Sequence, residues 1–167
     1  MLHIAPEPFF QQKLKNAIGS GYLSADLNDP QAMVRMDITK IDYPDETFNV
    51  IYCSHVLEHV PDDLTALKEL HRVLSNDGWA VFLVPITAEE TIEDPTVTSP
   101  NERRKKFGQT DHVRRYGKDF SYRIQQSGFT DKIYEVPDLF SSEDAERMGL
   151  TEASGEIYFC TKKQLKG

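Results

Sequence analysis

The chain has 167 residues, 39% hydrophobic and 28% charged, and its 19 Lys and Arg against 27 Asp and Glu leave a net charge of −8. That length suits one domain burying roughly 70% of its unfolded surface, and nine Phe with seven Tyr exclude a chain too polar to fold. No run of about 20 apolar residues offers a membrane helix, no basic start followed by an apolar stretch reads as a secretory signal, and the acidic balance argues against a general nucleic-acid binder. Cys53 and Cys160 lie in apolar runs, the pattern of buried free thiols in a cytoplasmic protein rather than of a disulfide framework.

The first strand runs from Met1 to Ala5, so the fold is expected to begin with almost nothing ahead of it. Pro6 and Pro8 end it and admit a helix, in which Phe9, Phe10, Leu14, Ala17 and Ile18 recur at helical spacing before Gly19 and Gly21. Tyr22–Ala25 and Met33–Met36 are short strands, stopping at Asp26 and Asp37. Phe48–Cys53 is the clearest strand. Pro61, Asp62 and Asp63 open a helix whose Leu64, Leu67, Leu70, His71 and Leu74 share a side, and Asn76-Asp77-Gly78 is expected to close it by a left-handed turn. Trp79–Val84 reads as a strand covered on both faces.

Residues 86–116 are polar, hold Pro95 and Pro100 and show little periodicity, so they read as a long loop or lid, a candidate substrate region. Lys118–Ser127 is a helix with Phe120 and Ile124 inward, Lys132–Val136 and Glu156–Thr161 are strands, and a short surface helix lies between them. Strands alternating with helices predict a single α/β domain over 1–167. Its sheet is open, doubly wound and Rossmann-like, mostly parallel with an antiparallel last strand, in three αβα layers. Ligands of such sheets bind at the carboxyl ends of the strands, where strand order switches.

Two of the first four strand ends carry an Asp. A carboxylate just past the second strand can accept from a ribose diol. One after the third can accept from an adenine amine, with the next backbone N–H at a ring nitrogen. Asp is also common in turns, but Asp26 and Asp37 on consecutive strands favour a nucleoside site.

From Asp37 to Val84 the chain resembles the class I S-adenosylmethionine-dependent methyltransferases, in particular the type 11 methyltransferase domain. The matching stretches are Met36-Asp37-Ile38, Phe48–Tyr52, Ser54–Val60, Ala66–Leu74 and Trp79–Pro85. Asp111-His112, Arg115-Tyr116 and Gly128-Phe129 resemble later segments of the family. The resemblance implies S-adenosylmethionine as cofactor and S-adenosylhomocysteine as product. Asp26 would hold the ribose, Asp37 with Ile38 the adenine, and Ser54 with His55 would lie along the methionine part. The departure is the first loop, where the family has an acidic residue and a Gly-x-Gly-x-Gly run. Here His3 stands at the acidic position and Ala5, Glu7 and Phe9 stand where the glycines would be. Such side chains would crowd the methionine end, unless Ala5 and Glu7 contact the cofactor. A loop closed to cofactor would leave a non-catalytic binding module of the same fold.

His55-Val-Leu-Glu58-His59 also fits H-x-x-E-H, a zinc-peptidase signature. That chemistry needs both imidazoles on one helix face. The motif here follows a strand and runs into Pro61, so the sequence assigns no metal. Arg103, Arg104, Lys105, Lys106, Arg114, Arg115 and Lys118, with Tyr116 among them, form a basic stretch in an acidic chain. It is either a solvated surface or the contact for an anionic acceptor. His55 and His112 are the candidate bases for a proton leaving the acceptor. The expectation is therefore a methyltransferase acting on a small, anionic molecule rather than nucleic acid, with a homo-oligomer or partner subunit covering an open-sided site.

Overall fold

The computed structural model describes residues 1–151 and 155–162. Among these, no helix is long and apolar enough to cross a membrane. The strands β1 (Leu2–Ile4), β2 (Leu23–Asp26), β3 (Val34–Arg35), β4 (Phe48–Ser54), β5 (Leu74–Leu83), β9 (Thr130–Tyr134) and β10 (Ile157–Thr161) form a seven-stranded sheet in the order β3-β2-β1-β4-β5-β10-β9. β1 pairs in parallel with both β2 and β4, and β10 runs antiparallel to β5 and β9. This is the expected doubly wound sheet, and its order switches between β1 and β4.

The helices α1 (Pro8–Ile18), α2 (Asp63–Val73) and α4 (Phe120–Gln126) carry the sheet's connections. Pro8 opens α1 and Gly19, at φ 66°, closes it. Asp62 caps α2 by accepting from the Thr65 amide at 2.9 Å. The buried side of α2 is Asp63, Ala66, Leu67, Leu70 and Val73. That side is turned from the one expected, because His71 is half-buried and packs edge-on against Phe129 at 4.9 Å. The core joins Leu2, Ile51, Leu67, Leu70, Phe82, Phe120 and Tyr158, all fully buried. Both cysteines are buried free thiols.

Two expectations are corrected. Gly78 does not close α2 by a left-handed turn; the chain is extended from Leu74, and β5 begins there. Glycine is required instead by close approach, since a Cβ at Gly78 would meet the Asn49 carbonyl oxygen at 2.7 Å and Leu74 Cδ1 at 2.8 Å. Residues 86–116, read as an irregular loop, hold β6 (Ile86–Ala88), β7 (Ile92–Glu93), α3 (Pro100–Phe107) and the start of β8 (Arg114–Gly117). These strands make a second sheet in the order β6-β8-β7. Periodicity is weak there because β7 has two residues and α3 buries only Phe107. Two short helices, α5 (Val136–Leu139) and α6 (Ser142–Met148), fill the connection before β10.

His3 lies in β1, fully buried. Its Nδ1 is 2.7 Å from the Tyr22 hydroxyl and its Nε2 3.1 Å from the Glu7 carboxylate. The rings of Phe10 and Tyr52 meet it edge-on at 5.6 and 5.1 Å. Burial outweighs the Glu7 contact and lowers its pKa below 6.5. Burial, with Lys162 nearby, does the same to His71.

Two predictions follow from this packing. Gly78→Ala should destabilise the fold by about 1–3 kcal/mol, read by urea denaturation, because backbone must shift to admit the methyl; a loss below about 0.5 kcal/mol would contradict the close approach. A histidine kept neutral by folding contributes its full stability above its unfolded pKa of 6.5, and loses it as pH falls below that value. Stability should therefore drop between pH 7 and pH 5, with a smaller drop in His3→Gln; equal pH slopes in the two proteins would remove His3 as a cause.

Candidate active site

A cleft of about 780 Å³ opens at the carboxyl ends of β1 to β4. Its wall is made by Ala5 past β1, Asp26 at the end of β2, Asp37 and Ile38 past β3, and His55 past β4, with His59 and Asp111 across the opening. Strand order switches at this place, so successive connections leave on opposite faces and a crevice stays open between them. A larger cavity of about 930 Å³ lies at α5 and α6, far from these strand ends, and is lined by Glu135, Phe140 and Glu146 among others.

The first loop keeps its larger side chains off the cleft. Ala5 has φ 48°, the left-handed region where glycine is favoured. Its amide donates to the Ala25 carbonyl at 2.8 Å, so it adds only a methyl group to the cleft wall. Glu7 does not line the cleft, because its carboxylate turns back to His3. Phe9 is 74% exposed, with the Lys13 ammonium 4.4 Å from its ring centre. Two of the three bulky replacements therefore point elsewhere.

Asp26 Oδ1 accepts from the Asn28 and Asp29 amides at 2.6 and 2.7 Å. Asp37 Oδ1 accepts from the Thr39 amide at 2.8 Å and from its hydroxyl at 2.7 Å, and these hydrogen bonds hold the Asp37 carboxyl below the usual range. Each carboxylate thus spends one oxygen on fixing its own turn and keeps Oδ2 for the cleft. Two fixed acceptors on adjacent strand ends, beside the apolar side chains of Leu27, Met36 and Ile38, fit a nucleoside's diol, amine and base.

His55 also lies on the cleft. Its φ is 53°, its side chain is 62% exposed, and its amide donates to the Leu83 carbonyl at 2.9 Å. Ser54 is buried at the end of β4 and does not line the cleft. His112 is buried behind His59, whose ring it meets edge-on at 4.7 Å. It lines a separate cavity of about 420 Å³ with Lys105, Lys106 and Arg115.

Of the basic residues, Lys105, Lys106 and Arg115 share one cavity, and the others lie elsewhere. Arg114 is 3% exposed and donates to the carbonyls of Leu57 and Pro61 at 2.8 Å, to that of Val60, and to Glu93 at 3.2 Å. Tyr116 is fully buried and donates to Asp63 at 2.6 Å. Both are therefore part of the core, not substrate contacts. Arg103 donates to the Val97 carbonyl at 3.3 Å within its own segment, and Arg104 is exposed on α3. Arg115 donates to Thr87 Oγ1 at 2.8 Å and to the Thr87 carbonyl. It lines the cavity of about 420 Å³ beside His112. The site residues passed over were His59 and Asp111, 3.2 Å apart across the cleft mouth. Their signals were the second His of H-x-x-E-H and the Asp111-His112 pair.

Residues 14–82 match the family described as "Methyltransferase domain". The demethylmenaquinone methyltransferase of Alkalihalophilus pseudofirmus is 42% identical over 53 residues, a stretch that is 32% of this chain and 22% of that protein. Among solved structures, an S-adenosylmethionine-dependent methyltransferase from Mesorhizobium loti superposes with a TM-score of 0.63 at 16% identity, over 95% of this chain and 88% of that one. The 1,6-didemethyltoxoflavin-N1-methyltransferase of Burkholderia thailandensis, solved with S-adenosylhomocysteine, gives 0.58 at 14% identity, over 95% and 68%. Residues 14–82 thus match a methyltransferase domain, and the chain has the fold of solved S-adenosylmethionine-dependent methyltransferases.

Proposed function

We propose that this chain transfers the methyl group of S-adenosylmethionine to a small, anionic acceptor. The observation that carries the reading is the pair Asp26 and Asp37, each with Oδ1 fixed by its own turn and Oδ2 free at the cleft. Asp26 would accept from the ribose hydroxyls. Asp37 would accept from the adenine amine, and the Ile38 amide would donate to a ring nitrogen. The cofactor brings a methyl group already activated on a sulfonium, so the protein's task is chiefly to align an acceptor with it. His55, exposed on the cleft at the end of β4, is the group best situated to take a proton from the acceptor. His112 is second, since its ring is buried behind His59.

The anionic acceptor is supported by Lys105, Lys106 and Arg115 around the cavity that His112 also lines. That cavity adjoins the cleft through the contact between His59 and His112. The non-catalytic alternative drew on the altered first loop, and it is weakened by the outward course of Glu7 and Phe9.

Calorimetric titration with S-adenosylmethionine and S-adenosylhomocysteine tests the reading. Saturable binding is expected, weakened by about 10- to 100-fold in Asp26→Ala and in Asp37→Ala, the loss of a hydrogen bond to a charged group in each case. No binding by folded protein would overturn it. Once an acceptor is in hand, His55→Ala should keep cofactor affinity and lose about 10²- to 10⁴-fold in turnover; undiminished turnover removes His55 from proton transfer.

A further inference from the structure

We propose that Glu58, His59 and His112 form a binding site for one divalent first-row transition-metal ion at the edge of the cofactor cleft. Glu58 is 1% exposed, and its Oε2 is the buried side-chain oxygen or nitrogen that has no hydrogen-bond partner among the described residues. Burying a carboxylate costs several kcal/mol unless a cation or donors compensate it. The Arg114 guanidinium, which meets the carbonyls of the same turn, is already committed to three backbone carbonyls and to Glu93. What stands around Glu58 instead is imidazole. One donor atom each from Glu58, His59 and His112 lies within 4.8 Å of the others.

The trio is held in place by its backbone. Glu58 and His59 belong to a single 3₁₀ turn, Leu57–His59. The Val113 amide, next to His112, donates to the Glu58 carbonyl at 2.9 Å. Asp111 Oδ2 lies 3.2 Å from His59 Nδ1, the carboxylate–histidine arrangement that fixes a ligating ring and leaves its other nitrogen free. His55 Nδ1 is 3.4 Å from Glu58 Oε1, so it is the oxygen on the other side that is bare.

Two imidazoles and a carboxylate make a donor set that Zn²⁺, Fe²⁺, Mn²⁺ and Co²⁺ accept, with positions left open. Bonds of about 2.0–2.2 Å put neighbouring donors roughly 3.0–3.4 Å apart, so the three side chains need close in by at most about 1.4–1.8 Å. The H-x-x-E-H motif thereby acquires a different reading. Its glutamate and second histidine are ligands, the third ligand comes from residue 112, and no shared helix face is needed. His59 also lines the cleft, so an ion held there would have its open positions on the cleft side.

The test uses the full chain, stripped with a chelator and titrated with Co²⁺, followed by visible d–d absorption and calorimetry, with Zn²⁺ and Mn²⁺ in parallel. One ion per chain is expected, together with a metal-dependent rise in Tm. Glu58→Gln and His112→Ala should each weaken binding by at least 100-fold, Asp111→Asn by about 10- to 100-fold, and His71→Ala should not change it. Circular dichroism of each variant separates lost ligation from lost folding. If Glu58→Gln does not fold, His112→Ala carries the test. Absence of stoichiometric binding for all three ions, or affinity unchanged in His112→Ala, overturns the proposal. Titration with S-adenosylhomocysteine on the metal-free protein tests the cofactor site separately, so failure of one reading is distinguishable from failure of the other.

Discussion

The Arg114 guanidinium is the contact on which the site's architecture rests. Between the end of β4 and the start of α2 the chain turns through Val56–Asp62, where a single 3₁₀ turn, Leu57–His59, leaves carbonyls open to further donors. Arg114 meets those of Leu57, Val60 and Pro61. Its planar fork suits such a cluster, because its donors point in fixed directions and stay charged when buried. Around it Asp63 faces Arg114 and Arg123 and accepts from Tyr116, while Glu93 accepts from both arginines. The buried charge is thus spread over several acceptors rather than one pair, which is what makes its burial tolerable. The consequence is positional: β8 and the segment before it are fixed to the turn that carries His55 and His59.

The first loop shows how a different sequence can keep a similar cleft. A glycine-rich turn allows backbone to approach a ligand because it has no side chains to exclude it. Here the cleft stays open because the larger side chains are sent away from it. Glu7 leaves the cleft because His3 needs a partner inside the sheet, and His3 holds that carboxylate at 3.1 Å. Ala5 accepts a left-handed backbone, with the methyl as the smallest addition to glycine. His3 in β1 and Glu7 ahead of α1 are thus an interacting pair.

The sheet and the two Asp turns at its strand ends were legible because they rest on local patterns. Apolar runs ended by Asp marked β2 and β3, and each Asp fixes its own turn through residues two or three positions on. The second sheet was not legible, although one of its signals was present. Ser99-Pro100-Asn101-Glu102 is a helix start, with Ser99 Oγ accepting from the Glu102 amide and donating to its carboxylate at 2.7 Å. It lay unread because α3 has no apolar side to follow. The basic stretch misled for another reason. An arginine in a polar run looks solvated or ligand-binding, and nothing local says that Arg114 has carbonyls more than fifty residues earlier in the chain to satisfy. Gly78 misled because a helix-ending glycine and a close-packed glycine look alike until Asn49 is brought beside it.

The same accounting of donors explains why Glu58 stands apart. The guanidinium beside its turn is occupied by the carbonyls of Leu57, Val60 and Pro61 and by Glu93, and a carbonyl left unsatisfied there would cost as much as any hydrogen bond the carboxylate could gain. The Val113 amide goes to the Glu58 backbone, not to its side chain. His55 reaches only one of the two carboxylate oxygens. A buried glutamate whose surroundings supply donors to the backbone and imidazoles to the side chain is poorly suited to a structural role, since a hydrophobic residue would fill the same space at lower cost. It is well suited to a cation that the polypeptide does not itself provide, and the rings of His59 and His112 are within reach of the same ion.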